Sequence, residues 1–144
     1  MKLNLLNTFT DELPADPELE NSRRQVFSAC YSAVKPKKTT AAKLIHTSPE
    51  VLSNLGIDPE AIHSKVFLDV FSGNRIVENS MPYAMCYGGH QFGSWAGQLG
   101  DGRAINLGEI ENKNQSWALQ LKGAGETPYS RSADGLAVLR SSIR

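Results

Sequence analysis

The chain has 144 residues, of which 40% are hydrophobic, so it can form one domain with a buried core but not two large ones. Its 15 basic and 15 acidic residues balance, and the basic residues form no long run, which argues against a nucleic-acid-binding surface. No apolar stretch approaches the roughly 20 residues of a membrane-spanning helix, and the N-terminus lacks a signal-peptide core, so we expect a cytoplasmic protein that binds no membrane.

Residues 1–80 are predicted to form an N-terminal extension with short helices. Residues 1–25 are polar and interrupted by prolines, which is typical of an arm that packs onto other elements. Residues 27–34 favour a strand. Cys30 and Cys86 match no CxxC spacing, so we expect reduced residues in or near the core.

Helix signals follow the predicted strand. Ser48 is a typical N-cap, the next residue is a proline suited to the first helical position, and Gly56 provides a stop. A second helix start comes at Asp58. Between residues 66 and 71 the apolar side chains fall on one helical face, and Gly73 ends this run, so the helix is expected to pack against the core.

Residues 87–104 read YGGHQFGSWAGQLGDGRA and contain six glycines without a helical or strand period. Glycine loses more conformational entropy on folding than any other residue, so the cluster indicates tight turns or close approach of the backbone to a ligand. We expect a glycine-rich loop, with Phe92 and Trp95 packing it onto the rest of the molecule and His90 orienting it through hydrogen bonds.

A β-hairpin is predicted after the glycine-rich stretch. Residues 104–110 place Ile105 and Leu107 on one side, and the polar turn ENKNQ leads into a second alternating strand that ends at Lys122. A loop follows, and Asp134 is the predicted N-cap of a helix that runs to the last residue.

This order of elements predicts a phosphate site. Backbone N–H groups of glycine-rich turns bind anions, and Lys122 adds a positive charge. The pattern is not a Walker A loop, because Gly123 follows the lysine, and it is not a Rossmann fingerprint, because the glycines precede a strand. Its order is closer to that of a protein kinase N-lobe.

Three segments carry a resemblance to a known family. YGGHQFGSWAGQLGDGRAINLGEI, WALQLKGAGETPYSRSADGLAVLRSSIR and the upstream RRQVFSACYSAVKP closely resemble the selenoprotein O family, also called YdiU or UPF0061. The resemblance implies an α+β, protein-kinase-like N-lobe: an extension over residues 1–80, then the glycine-rich loop, the hairpin and the start of a helix over residues 81–144. Members are pseudokinases that use ATP and Mg²⁺ or Mn²⁺ to transfer AMP to Ser, Thr or Tyr hydroxyls of proteins.

The resemblance also implies a set of site residues. The expected nucleotide contacts are Gly100, Gly102, Arg103, Lys122, Asp134 and Gly135. Among these, Arg103 and Lys122 would meet the phosphates, and the family's flipped ATP orientation makes the α-phosphate the electrophile.

Two departures from the family pattern bear on activity. Leu136 stands where members have an arginine, and Arg144 is the last residue before the position of the glutamate expected to pair with Lys122. The catalytic aspartate and the metal ligands are expected in a C-lobe outside this chain, so we expect a truncated chain that is inactive by itself and has the C-lobe as its partner. The alternative is a noncatalytic nucleotide-binding or protein-interaction module, the remnant of a gene.

Overall fold

An antiparallel sheet is the central element of the computed structural model, which describes residues 3–138. Its strands are β1 (Tyr31–Ala33), β2 (Tyr83–Gln91), β3 (Ser94–Gly100), β4 (Ala104–Asn112) and β5 (Gln115–Lys122). The order is β1-β2-β4-β5, and β3 pairs with β2. Together with the helices this sheet confirms an α+β fold, while the assignment to a kinase-like N-lobe and the division at residue 80 stay predictions.

Short helices pack against the sheet. They are α1 (Thr8–Glu12), α2 (Pro49–Asn54), a 3₁₀ helix (Pro59–His63) and α3 (Lys65–Phe71). The Ser48 side chain accepts a hydrogen bond from the Val51 N–H at 3.3 Å, and Gly56 follows α2 with φ +67°, so the predicted start and stop are confirmed. Within residues 3–138 no helix combines the length and the apolar character needed to cross a bilayer.

The predicted helix start at Asp58 is also confirmed, but the type of helix differs from the prediction. The Asp58 carboxylate accepts a hydrogen bond from the Glu60 N–H at 3.0 Å, but only a 3₁₀ helix forms, because Ser64 is extended. Ser64 then caps α3 by accepting a hydrogen bond from the Phe67 N–H at 3.1 Å. Phe67 and Val70 are buried, as the predicted apolar face requires.

The strand predicted over residues 27–34 is shorter than expected. Only Tyr31–Ala33 pairs with β2, because Ser28 adopts φ +56° and interrupts the extended backbone. Cys30 and Cys86 are free and half-buried, as predicted. They are neighbours across the sheet, since the Cys86 N–H donates to the Cys30 carbonyl at 2.8 Å.

The glycine-rich stretch forms a β-hairpin, and the prediction of a loop was wrong. Phe92 and Gly93 make the turn between β2 and β3 with φ +50° and +81°, the backbone that a two-residue hairpin favours. Trp95 packs over Gly88, where an added Cβ would lie 2.6 Å from the indole ring. Phe92 is fully exposed, so it does not pack the hairpin onto the rest of the molecule.

The prediction that Ile105 and Leu107 lie on one side of the first strand of the second hairpin is wrong, because β4 contains a bulge. Asn106 pairs with Gln120 and Gly108 pairs with Leu119, which leaves Leu107 as an extra residue. Leu107 therefore joins the cluster under the helices, whereas Ile105 joins a second cluster that contains Tyr129. Because the bulge reverses the alternation, β4 is buried on both faces.

A buried polar network ties the N-terminal arm to the sheet. Asp16, which is 7% exposed, accepts hydrogen bonds from the Ser32 hydroxyl at 2.7 Å and from the Arg24 guanidinium at 2.5 Å. The Ser32 hydroxyl also lies 2.8 Å from the Tyr129 hydroxyl. A buried carboxylate is tolerated in this position because its acceptor oxygens are satisfied.

We expect Asp16→Asn to lower the free energy of unfolding by about 2 kcal/mol at neutral pH, because Arg24 loses a buried partner. Burial raises the pKa of Asp16, but hydrogen bonds from Ser32, the Glu18 N–H and Arg24 outweigh it and bring the folded-state pKa below 3.8. A lowered folded-state pKa means that this stabilisation is present above 3.8 and is lost as the pH falls through the folded-state value. Urea unfolding of the unchanged chain and of Asp16→Asn at descending pH should show the difference between their free energies of unfolding becoming smaller once the pH falls below 3.8.

Asp69→Asn is the matched control for this change. Asp69 pairs with Lys65, whose side chain is 83% exposed, so its loss should cost only about 0.5 kcal/mol. A penalty for Asp16→Asn that stays constant from neutral to acid pH would contradict the role given to the carboxylate charge.

Candidate functional site

A cavity of about 380 Å³ opens between the β2–β3 hairpin and the loop after β5. Four described parts of the chain line it: two residues of β2, the segment that joins β3 to β4, two residues of β5, and the loop after β5. The lining residues are Tyr87 and Gln91, residues 99–104, Gln120 and Lys122, and Tyr129, Ser130, Arg131 and Ala133. The sheet thus brings together residues that are far apart in sequence. Gly100, Gly102, Arg103 and Lys122 of the predicted site all lie in this lining.

The turn from β3 to β4 is held by hydrogen bonds to β2. The Asp101 N–H donates to the Met85 carbonyl at 2.9 Å, and the Asp101 carboxylate accepts from the Met85 N–H at 3.0 Å and from the Asn106 side-chain amide at 2.9 Å. Gly100 and Gly102 are needed for close packing, since a Cβ on Gly100 would overlap the Tyr129 ring and one on Gly102 would lie 2.8 Å from the Tyr129 carbonyl.

Two buried hydroxyls clamp this turn from the other side. Thr127 donates to the Asp101 carbonyl at 2.7 Å, and Ser130 donates to the Gly102 carbonyl at 2.5 Å. Ser130 also accepts a hydrogen bond from the Thr127 N–H at 2.8 Å. These hydrogen bonds therefore join the loop after β5 and the glycine turn into one wall of the cavity.

Three cationic residues of the described range line the cavity: Arg103, Lys122 and Arg131. None of them is in an ion pair with another residue of the described range. Among the described residues, Asp101 is the one carboxylate in the lining, and its Oδ2 already accepts two hydrogen bonds. The positive charge of the cavity is therefore in excess, which favours an anionic ligand.

Arg103 and Lys122 are brought together by the β4–β5 ladder. Ala104 pairs with Lys122, and the Gly123 N–H donates to the Arg103 carbonyl at 2.6 Å. Both residues therefore lie at the end of this ladder that borders the cavity. A forked donor beside a point charge suits the oxygens of a phosphate chain.

Asp134 and Gly135 lie beside the cavity rather than in its lining. The Asp134 carboxylate accepts a hydrogen bond from the Leu136 N–H at 2.9 Å, and the Gly135 carbonyl accepts one from the Gly125 N–H at 3.3 Å. Residues 134–138 are not helical, and the rest of the helix predicted from Asp134 lies outside the described residues.

Sequence reasoning missed Tyr87, Gln91 and Arg131. The first two lie on a hairpin that was predicted as a loop, so no strand alternation indicated that they face the cavity. Arg131 adopts φ +54° in a loop without periodicity, and only its arginine side chain in the stretch TPYSR was a signal.

Within residues 3–138 no group of three or more His, Cys, Asp or Glu side chains is placed to hold a metal ion. The predicted Mg²⁺ or Mn²⁺ therefore has no ligand set in this part of the chain.

Comparison with known proteins gives a consistent set of relatives. Residues 14–144 match the family described as protein adenylyltransferase SelO. The chain is 63% identical over 142 residues to the protein nucleotidyltransferase YdiU of Flavobacterium johnsoniae, and 57% and 60% identical over 139 residues to those of Methylobacillus flagellatus and Azoarcus sp.. These matches cover 96–99% of this chain but 27% of each relative, so the chain spans about a quarter of the length of these curated relatives.

Proposed function

Since the chain belongs to the SelO family of protein adenylyltransferases, we propose that its cavity binds the phosphates of ATP within an enzyme that transfers AMP to protein hydroxyls. The observation that carries the proposal is the presence of Arg103, Lys122 and Arg131 in the lining of one cavity without a neutralising ion pair among residues 3–138. Such a site would bind a polyanion more tightly than a neutral ligand.

The proposed reaction is a substitution at the α-phosphorus. A Ser, Thr or Tyr hydroxyl oxygen of the acceptor protein bonds to this phosphorus, the bond to the bridging oxygen of the β-phosphate breaks, and pyrophosphate leaves. Arg103 and Lys122 would offset the negative charge that develops on the leaving pyrophosphate. The base that takes the hydroxyl proton is proposed to lie in the part of the longer relatives that this chain does not span.

We further propose that residues 3–138 correspond to a kinase-like N-lobe. The glycine-rich β2–β3 hairpin precedes β4, and β5 ends at Lys122, which is the order of a kinase glycine-rich loop and its phosphate-binding lysine. In this arrangement Gly100 and Gly102 would let the backbone approach the nucleotide, while Asp134 and Gly135 would border it. A C-lobe would complete the site and hold the divalent metal.

A chimera tests the proposal. The part of this chain that matches the Flavobacterium johnsoniae relative, 63% identical over 142 residues, would replace the corresponding segment of that relative. The chimera is incubated with bacterial protein extract and ATP labelled on either the α- or the γ-phosphate. We expect the chimera to label proteins from α-labelled ATP alone. The 144-residue chain by itself should label none.

The other outcomes are informative. Labelling from γ-labelled ATP would indicate phosphoryl transfer, as in a protein kinase, and would contradict the proposal. No labelling from either form, while the unmodified relative labels proteins in parallel, would favour a noncatalytic nucleotide-binding module.

A further inference from the structure

We infer that Arg131 is a third phosphate-contacting side chain of the cavity and that Gln91 positions it. This inference rests on the proposed function, because it assigns a role in binding the same nucleotide. It links the tip of the β2–β3 hairpin to the phosphates, although neither residue was among those expected from the sequence.

The backbone that carries Arg131 is held in place. Ser130, directly before it, is buried and donates to the Gly102 carbonyl at 2.5 Å, and the Ala133 N–H donates to the Ser130 carbonyl at 2.9 Å. Arg131 itself adopts φ +54°, a conformation that costs a non-glycine residue about 1 kcal/mol. Strained residues that persist are concentrated at functional sites, where the surrounding structure holds them.

The Arg131 side chain is oriented without being neutralised. One of its terminal nitrogens, Nη1, donates to the Gln91 side-chain carbonyl at 3.3 Å, and no carboxylate of residues 3–138 forms an ion pair with it. A guanidinium has five N–H donors, so this single bond leaves others for phosphate oxygens. A neutral amide restrains the side chain and leaves its positive charge available to a ligand.

Gln91 is itself fixed by the hairpin. It pairs with Ser94 at the last position of the β2–β3 ladder, directly before the Phe92–Gly93 turn. Its side chain lines the cavity together with Arg131. Gln91 is thus a positioning residue, and Arg131 is the group that contacts the ligand.

Calorimetric titration of the chimera with ATP and with adenosine tests this assignment. We expect Arg131→Gln to weaken ATP binding about tenfold, the value of one charged hydrogen bond, and to leave adenosine binding unchanged, because adenosine has no phosphate. Arg131→Lys should recover part of the loss. Arg75→Gln, an exposed arginine outside this cavity, is the control and should bind ATP as the unchanged chimera does.

Two variants of Gln91 separate charge from shape. Gln91→Glu places a carboxylate beside Arg131 and should weaken ATP binding about tenfold by competing with phosphate, whereas Gln91→Leu only removes the orienting bond and should weaken it about threefold.

An equal loss for ATP and adenosine in Arg131→Gln would indicate a structural role and overturn the inference. Unchanged ATP binding in Arg131→Gln, with weakened binding in Arg103→Ala, would overturn it while the proposed function stands. Absence of ATP binding by the unchanged chimera would overturn both.

Discussion

AMP transfer by the chimera should fall about 100-fold when Arg103 is replaced with alanine, the loss that follows removal of a preorganised charged donor. Arg103 has no ion-pair partner among residues 3–138, so its charge is available to the phosphates. Its backbone carbonyl accepts the hydrogen bond from Gly123, and the substitution leaves that bond in place. The measurement is kcat/KM for transfer from α-labelled ATP.

Two further substitutions make this result specific. Arg103→Lys keeps the charge but loses the forked donor, and we expect an intermediate loss of about tenfold. Arg75→Ala removes an exposed arginine that lies outside this cavity and should leave kcat/KM unchanged. If Arg103→Ala transferred AMP as fast as the unchanged chimera, Arg103 would not belong to the site.

Gly135→Ala should lower the free energy of unfolding of this chain by about 4 kcal/mol. The loss has two causes: alanine is strained in the left-handed backbone conformation of this position, and its Cβ would overlap neighbouring atoms. Gly135 has φ +72°, and a Cβ there would overlap the carbonyl carbon and oxygen of Gly125 and the nitrogen of Glu126. All of these are backbone atoms, so no side-chain rotation can relieve the overlap. Urea titration followed by circular dichroism measures the loss.

Gly97→Ala is the matched control for Gly135→Ala. Gly97 has the same φ of +72°, but nothing lies within 4 Å of the added Cβ, so we expect a loss of only about 1 kcal/mol. Equal losses for the two variants would mean that the close approach to Gly125 is unimportant. Unchanged stability of Gly135→Ala with lost ATP binding would instead indicate a direct contact between Gly135 and the nucleotide.

Several elements could be predicted from local sequence because their stabilising bonds are local. Ser48 and Asp58 cap helices through backbone N–H groups only two or three residues away, so the relevant atoms lie within one short segment. The β4–β5 hairpin was equally accessible, since its outer strand alternates and its turn residues, Lys113 and Asn114, are polar.

The failures arose where local patterns carry no information about pairing. The glycines of the β2–β3 hairpin have no side chains to show an alternation, so two strands were predicted as a loop. The bulge at Leu107 moved this residue to the other face from Ile105, and only pairing with β5 reveals it. Ser28 shortened β1 through its backbone angle rather than through its residue type.

The sequence by itself determined the start and stop of α2, the helix start at Asp58, the second hairpin, the family, and the presence of Arg103 and Lys122 at the ends of neighbouring segments. It could not indicate that Arg131 meets Gln91, 40 residues earlier, or that Thr127 and Ser130 clamp the glycine turn. Caps and turns depend on bonds within a few residues, whereas a charged cavity depends on the path of the whole chain. The sheet that brings these distant segments together therefore decides which of the cations can act on one ligand.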